Sequence, residues 1–306
     1  MSKKRKLKFW KSLPWKDFIE YALVRTLMAL INLFPISVST WIARRIGEVI
    51  FWILPGRRRI ALGNLNIAFG HCKSDRERRR IALESFRHLA TCLMEFFRLP
   101  NSVARIKEHV RFKGAEYLER AFDKKKGVVL VMSHLGPWEY LGFLTYIKKY
   151  PTTILGRPIK NPYFYRWIQS LRKAVNLVYS DKRLGPRRLL SELRANHLVA
   201  ITIDQWAGND GLWIDFFNLP TSTISLPARL AKRTGSALVP AYCLRVGSGR
   251  YEIQILPEAS IRGSKEAWVG DMTRELNRLL EKQVSLFPEQ WLWTHQRWKG
   301  KRANLS

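Results

Sequence analysis

Apolar residues fall along this chain in two periods. Val128-Val129-Leu130-Val131-Met132 is an unbroken run of strand length, and residues 152–155, 198–203 and 237–244 repeat the pattern. Short apolar runs without alternation predict strands buried on both faces. Residues 251–256 alternate, which predicts a strand nearer a sheet edge. Between these runs the spacing becomes helical. Ser74 and Glu77 form a capping-box pattern ahead of an apolar face built from Leu83, Phe86, Leu89, Leu93 and Phe96. Residues 114–122 form a short helix, and 161–174 another, with Asn161 as cap and Pro162 in the first position. Residues 227–234 are stopped by Gly235, and 268–286 carry Met272, Leu276, Leu279, Leu280 and Val284 on one face. Strands interleaved with helices predict an α/β fold: a mixed, largely parallel sheet flanked by helices.

The first sixty residues read differently. Residues 18–34 are an apolar helical run interrupted by Glu20, Arg25 and Asn32 and ended by Pro35, short and charged for a membrane span. Residues 38–54 set Trp41, Ile42, Ile46, Val49, Ile50 and Ile53 opposite Arg44, Arg45 and Glu48. Pro55-Gly56-Arg57-Arg58-Arg59 follows, and residues 1–60 hold thirteen Lys/Arg against three acids. With both flanks basic, the positive-inside rule favours a shallow helical hairpin with both ends on the cytoplasmic side, lying in an interface, or else an unusual single span. Two soluble core helices fit the same pattern. The expected division is 1–56, a basic arm and membrane-associating helical pair, and 57–306, one α/β domain.

Composition narrows the partners. A net charge of +30 implies an anionic one, and twelve tryptophans favour a membrane interface over nucleic acid, for which no recognition motif is present. Cys72, Cys92 and Cys243 are far apart and odd in number, a pattern of neither a disulfide framework nor a zinc site.

Candidate chemistry gathers where the Val128 run ends, at Ser133-His134-Leu135-Gly136-Pro137-Trp138-Glu139. The C-terminal end of a buried strand is where open α/β sheets place ligands. On one uninterrupted helix His134 and Glu139 would point roughly 140° apart, so they meet only across a bend, which Gly136 and Pro137 can supply. A carboxylate on one imidazole nitrogen fixes the tautomer and leaves the other nitrogen to take a proton from an alcohol. That alcohol then attacks an acyl carbonyl, with N–H groups of the Gly136 turn stabilising the oxyanion. The spacing alone also fits a core histidine beside a surface glutamate. Arg157 stands at the end of the 152–155 strand, where a guanidinium suits a phosphate or a polarised carbonyl. Arg166, Arg172 and Lys173 fit either substrate phosphates or a solvated helix face. Glu95, amid an apolar run, fits a buried functional acid, though a boundary position on its helix is the favoured reading. The three tail tryptophans Trp291, Trp293 and Trp298 fit an interfacial anchor, a cation–π cluster or core packing.

The segment from Ser133 to Glu139 resembles the His-x4-acid motif of the glycerolipid and lysophospholipid acyltransferase superfamily, in the form carried by the late acyltransferases of lipid A biosynthesis. Further blocks resemble that family in matching order: the arginines and residues 60–69; Arg157 followed by Asn161-Pro162; Asp204-Gln205 with Phe216, Phe217, Thr223 and Pro227-Ala228; and the tail from Pro288 to Lys299. One departure is Pro137, where members often carry Asn. The resemblance covers about residues 58–299. It implies a glycerolipid acyltransferase-like fold and transfer of a fatty acyl chain from acyl carrier protein to a lipid A precursor at the cytoplasmic face of the inner membrane. In it His134 is the base, Glu139 orients it, Arg157 and Gln205 bind substrate, and Asp204 organises the floor of the site by hydrogen bonding. No metal or redox cofactor is implied. A basic rim would guide an acidic carrier protein and a phosphorylated glycolipid alike. Alternatives that keep the chemistry use a mannoside glycolipid, lysophospholipid or glycerol phosphate acceptor, or an acyl-coenzyme A donor. A further alternative is a non-catalytic basic protein that binds membranes or nucleic acid.

Overall fold

The computed structural model describes residues 15–99, 106–156, 159–173, 177–181, 185–261 and 266–299. Nine strands occur among them: β1 (Val110–Lys113), β2 (Val128–Met132), β3 (Thr152–Gly156), β4 (Leu177–Asp181), β5 (Leu198–Thr202), β6 (Leu212–Phe216), β7 (Leu219–Thr223), β8 (Ala237–Gly247) and β9 (Arg250–Ile255). Seven form one sheet in the order β1-β9-β8-β2-β5-β3-β4, while β6 and β7 pair as a separate hairpin. Within the large sheet every pairing is parallel except the β8–β9 hairpin, so the sheet is mixed and largely parallel, as the sequence predicts. β2 lies at its centre with all five residues buried.

Period-two alternation sends the side chains of β2 to two cores. Val129 and Val131 join Val199, Ile201 and Leu238 under the tail tryptophans Trp291, Trp293 and Trp298. Val128, Leu130 and Met132 join Ala200, Val239, Phe143 and Trp167 on the opposite face. The tail tryptophans are therefore core residues, at 2%, 0% and 2% exposure. Arg297 locks the tail down, donating to the carbonyls of Gln205 (3.1 Å) and Ser222 (2.7 Å).

Helices cover both faces: α1 (Trp15–Asn32), α2 (Ile36–Ile53), α3 (Pro55–Phe69), α4 (Asp75–Phe97), α5 (Ala115–Asp123), α6 (Gly142–Lys148), α7 (Pro162–Lys173), α8 (Gly185–Arg194), α9 (Leu226–Thr234) and α10 (Trp268–Leu286). Ser74 and Glu77 close the capping box on α4. Asn161 Oδ1 accepts the amides of Tyr163 (3.0 Å) and Phe164 (3.2 Å) at the start of α7. α2 packs on α4 closely enough that a Cβ on Gly47 would lie 2.5 Å from the Phe86 carbonyl oxygen. α1 packs on α7 through Tyr21, whose ring lies 5.7 Å from that of Tyr163 and 5.8 Å from that of Trp167.

β1, β4, α8 and the β6–β7 hairpin carry no clear pattern in the sequence. β1 is four residues with two charges, and the hairpin turns at Phe217 and Asn218, both at positive φ (52° and 58°) without the glycine that usually marks such a turn. No helix among the described residues is long and apolar enough to cross a membrane. α1 and α2 nevertheless leave Ile19, Leu23, Leu30, Trp41, Trp52 and Ile53 more than half exposed.

Candidate active site

Two neighbouring strands build the site. β2 and β5 run parallel with Met132 opposite Thr202, so His134 and Asp204, each two residues beyond that pair, leave the sheet side by side. The Ile203 amide still donates to the Met132 carbonyl (3.0 Å), which holds the two strand ends together. His134 donates its backbone amide to Asp204 Oδ2 (2.7 Å), and its Nδ1 lies 2.8 Å from Oδ1. Trp291 Nε1 donates to Oδ2 as well (3.0 Å). An ionised carboxylate only accepts, so the Nδ1–Asp204 contact places the imidazole proton on Nδ1 and the lone pair on Nε2.

That arrangement corrects one sequence expectation. The carboxylate on the imidazole is that of Asp204, not Glu139. Glu139 lies on the 3₁₀ turn Trp138–Leu141 and accepts a two-point grip from Arg172 of α7, Nη2 to Oε1 at 2.6 Å and Nε to Oε2 at 3.1 Å. A guanidinium fork matches a carboxylate better than one imidazole N–H does, and Asp204 already occupies Nδ1. Glu139 still acts on His134 through space. Burial pulls the imidazole pKa down, but the charge and hydrogen bond of Asp204, with Glu139 adding, carry it above its ordinary value. Asp204 shows the converse. Burial pushes its pKa up, and His134 with the Trp291 hydrogen bond outweighs this and holds it low.

The bend at Gly136 is real, with φ at +67°, and a Cβ there would sit 1.7 Å from the Cys243 carbonyl oxygen. Its amide, however, donates to the Gln290 carbonyl (2.9 Å), so it is not the oxyanion donor expected from the sequence. The Leu292 amide donates to the His134 carbonyl (3.2 Å), and the tail thereby forms a bridge along the turn that carries His134.

His134, Trp138, Glu139, Arg172, Gln205 and Trp206 line one cleft of about 320 Å³, with Met132, Ile154, Leu155 and Ile201 as its apolar wall. Gln205 Nε2 stands 3.4 Å from His134 Nε2. A narrow apolar crevice between Leu130, Leu144, Leu198 and Ala200 continues from the wall past Trp138. Arg157, the fifth residue expected at the site, lies outside the described residues. His295 is not at the reacting end; its Nε2 accepts the Trp206 amide (3.0 Å).

Behind the turn lies a buried polar cluster that the sequence does not announce. Glu95 is fully buried rather than at a helix boundary. Arg245 of β8 grips it from Nε (2.8 Å) and Nη2 (2.5 Å), and Tyr251 adds a hydroxyl (2.9 Å). Arg245 also reaches His88 Nδ1 (2.5 Å), and burial with that cation keeps His88 well below its ordinary pKa. Gln290 exchanges hydrogen bonds with the Arg245 backbone (3.0 and 3.1 Å), while its own carbonyl takes the Gly136 amide. The signal available in the sequence was a lone acid in an apolar helix face; its partner comes from a strand 150 residues away.

Residues 6–300 match the protein family described as bacterial lipid A biosynthesis acyltransferase. The chain belongs to that family. Among its relatives is the lipid A biosynthesis palmitoleoyltransferase of Escherichia coli, 26% identical over 89% of this chain and 88% of that one. Another is the phosphatidylinositol mannoside acyltransferase of Mycobacterium tuberculosis, 27% identical over 69% of each chain. A solved 1-acyl-sn-glycerophosphate acyltransferase from Thermotoga maritima aligns with 81% of this chain and 99% of its own at 13% identity, with a TM-score of 0.37, too loose to argue from.

Proposed function

We propose that this acyltransferase moves a fatty acyl chain from the thioester of acyl carrier protein to a hydroxyl of a lipid A precursor, working at the cytoplasmic face of the inner membrane. The observation that carries the chemistry is His134: Nδ1 engaged by Asp204, Nε2 turned into the cleft. Nε2 takes the proton of the acceptor hydroxyl as its oxygen attacks the thioester carbon. The tetrahedral adduct then expels the thiolate, which recovers the proton from the imidazolium. The products are an ester and the free thiol of the carrier. Asp204 stabilises the imidazolium as it forms. Glu139 adds to that field and keeps the Arg172 guanidinium along the cleft wall, and Gln205 lies beside the reacting nitrogen. The acyl chain lies against the apolar wall of the cleft, Met132, Ile154, Leu155 and Ile201. Arg157 is assigned to substrate phosphate or the donor carbonyl. These steps use side chains alone and need no metal or redox cofactor.

The exposed apolar residues of α1 and α2 face the bilayer and lie on it without crossing. The net charge of +30 suits both an acidic carrier and a phosphorylated acceptor. Similarity to a phosphatidylinositol mannoside acyltransferase supports a second reading, with a mannoside glycolipid as acceptor. Labelled acyl carrier protein and acyl-coenzyme A, each offered with a lipid A precursor, a mannoside glycolipid and a lysophospholipid, separate the two. Transfer from the carrier to the lipid A precursor is the expected result. Transfer to the mannoside alone replaces the acceptor, and transfer from coenzyme A alone replaces the donor.

A further inference from the structure

A second cleft, of about 720 Å³, lies between α2, α3 and α4 and shares no lining residue with the site at His134. Its floor and walls are Phe51, Trp52, Leu62 and Leu83, and its rim carries Arg58, Arg59, Arg79 and Arg80. Arg58 is held in place: its guanidinium lies 5.5 Å from the Phe51 ring and 5.4 Å from the Trp52 ring, and it donates to the carbonyls of both residues (3.3 and 3.4 Å). Arg59, Arg79 and Arg80 are exposed. Among the described residues no carboxylate forms an ion pair with Arg59 or Arg79, and Glu77 reaches Arg80 only through space. The nearby Glu84 is already taken by Arg44 and Arg87. The N-terminus of α3, which has no side-chain cap, opens beside Pro55 on the same rim and adds its positive end.

Four guanidinium groups above an apolar floor are complementary to a phosphate that carries hydrocarbon. The cleft is continuous with the exposed apolar face, since Trp52 belongs to both and Ile53 and Leu54 adjoin it. We propose that this cleft binds the phosphodiester head group of an anionic bilayer phospholipid, with the glyceride against Trp52, Leu62 and Leu83. The inference rests on the membrane-facing reading of α1 and α2. A lipid held there is not the acyl acceptor.

The test is titration of the full chain with short-chain phosphatidylglycerol below its micelle concentration, which removes the general attraction of a charged surface. Short-chain phosphatidylcholine and glycerol phosphate run beside it. The wild type should bind the first saturably at one site, and both comparison compounds at least about tenfold more weakly. Arg79→Ala/Arg80→Ala, two exposed positions, should weaken phosphatidylglycerol about tenfold, while Arg229→Ala/Arg233→Ala on α9 leaves it unchanged. Equal loss in both variants, no saturation, or glycerol phosphate binding as well as the lipid overturns the proposal. Sedimentation with neutral phosphatidylcholine vesicles separates the two claims. The Arg79/Arg80 variant should still sediment like wild type; a wild type that does not sediment at all removes the membrane-facing reading and this site with it.

Discussion

At the scale of single residues the account turns on how His134 is held. Asp204 raises its pKa against the pull of burial, so deleting that charge has a sign. In the proposed mechanism the active form is the neutral imidazole, so activity should rise with pH through the His134 pKa. Asp204→Asn removes the two largest raising contributions and leaves only the Glu139 charge against desolvation, so the acidic limb of the pH–rate profile should move to lower pH while the plateau falls by about 10²-fold or more. An unmoved limb would mean that Asp204 does not bear on the base. Glu139 and Arg172 act as one unit across two elements. Glu139→Ala and Arg172→Ala should each lower transfer, and the double variant should lose little beyond the worse single, a non-additivity measured in a double-mutant cycle. Full additivity would separate them.

At the scale of elements, the helix α4 and the strand β8 support the His134 turn from behind. Truncating Glu95 leaves the buried Arg245 guanidinium unpaired, and Glu95→Ala should cost about 3–5 kcal/mol in urea unfolding, with Glu95→Gln, which keeps an acceptor, costing less. A loss under about 1 kcal/mol would show that the cluster is not a support. This is also where the sequence was hardest to read. Runs such as Val128–Met132 and caps such as Ser74 or Asn161 are local signals, and they gave the strands and helices that position His134. The partner of His134 depended on register. Two buried strands each ending in a titratable residue were visible, but only the pairing of β2 with β5 sets Asp204 beside the imidazole. Glu139 is only five residues from His134 in sequence, but the 3₁₀ turn aims it at Arg172 of α7. The helix of Glu95 alone fits a buried acid and a boundary position alike, since what neutralises the acid arrives on another element.

At the scale of the whole molecule, a largely parallel sheet positions His134 and Asp204, and a pair of helices carries an exposed apolar face. α1 touches α7, the helix bearing Arg172, so the apolar face and the cleft belong to one packed structure. Leu23→Glu and Trp52→Glu, at 67% and 63% exposed positions, should each weaken sedimentation with neutral vesicles by about tenfold while leaving the fold intact. Unchanged sedimentation in both would place the lipid surface elsewhere. The measurement closest to the central claim is single-turnover acyl transfer from labelled acyl carrier protein to a lipid A precursor, comparing wild type with His134→Ala of matched circular dichroism. The account predicts ester formation by the wild type and a fall of at least about 10²-fold in the variant. A variant that transfers at the wild-type rate would contradict His134 as the base.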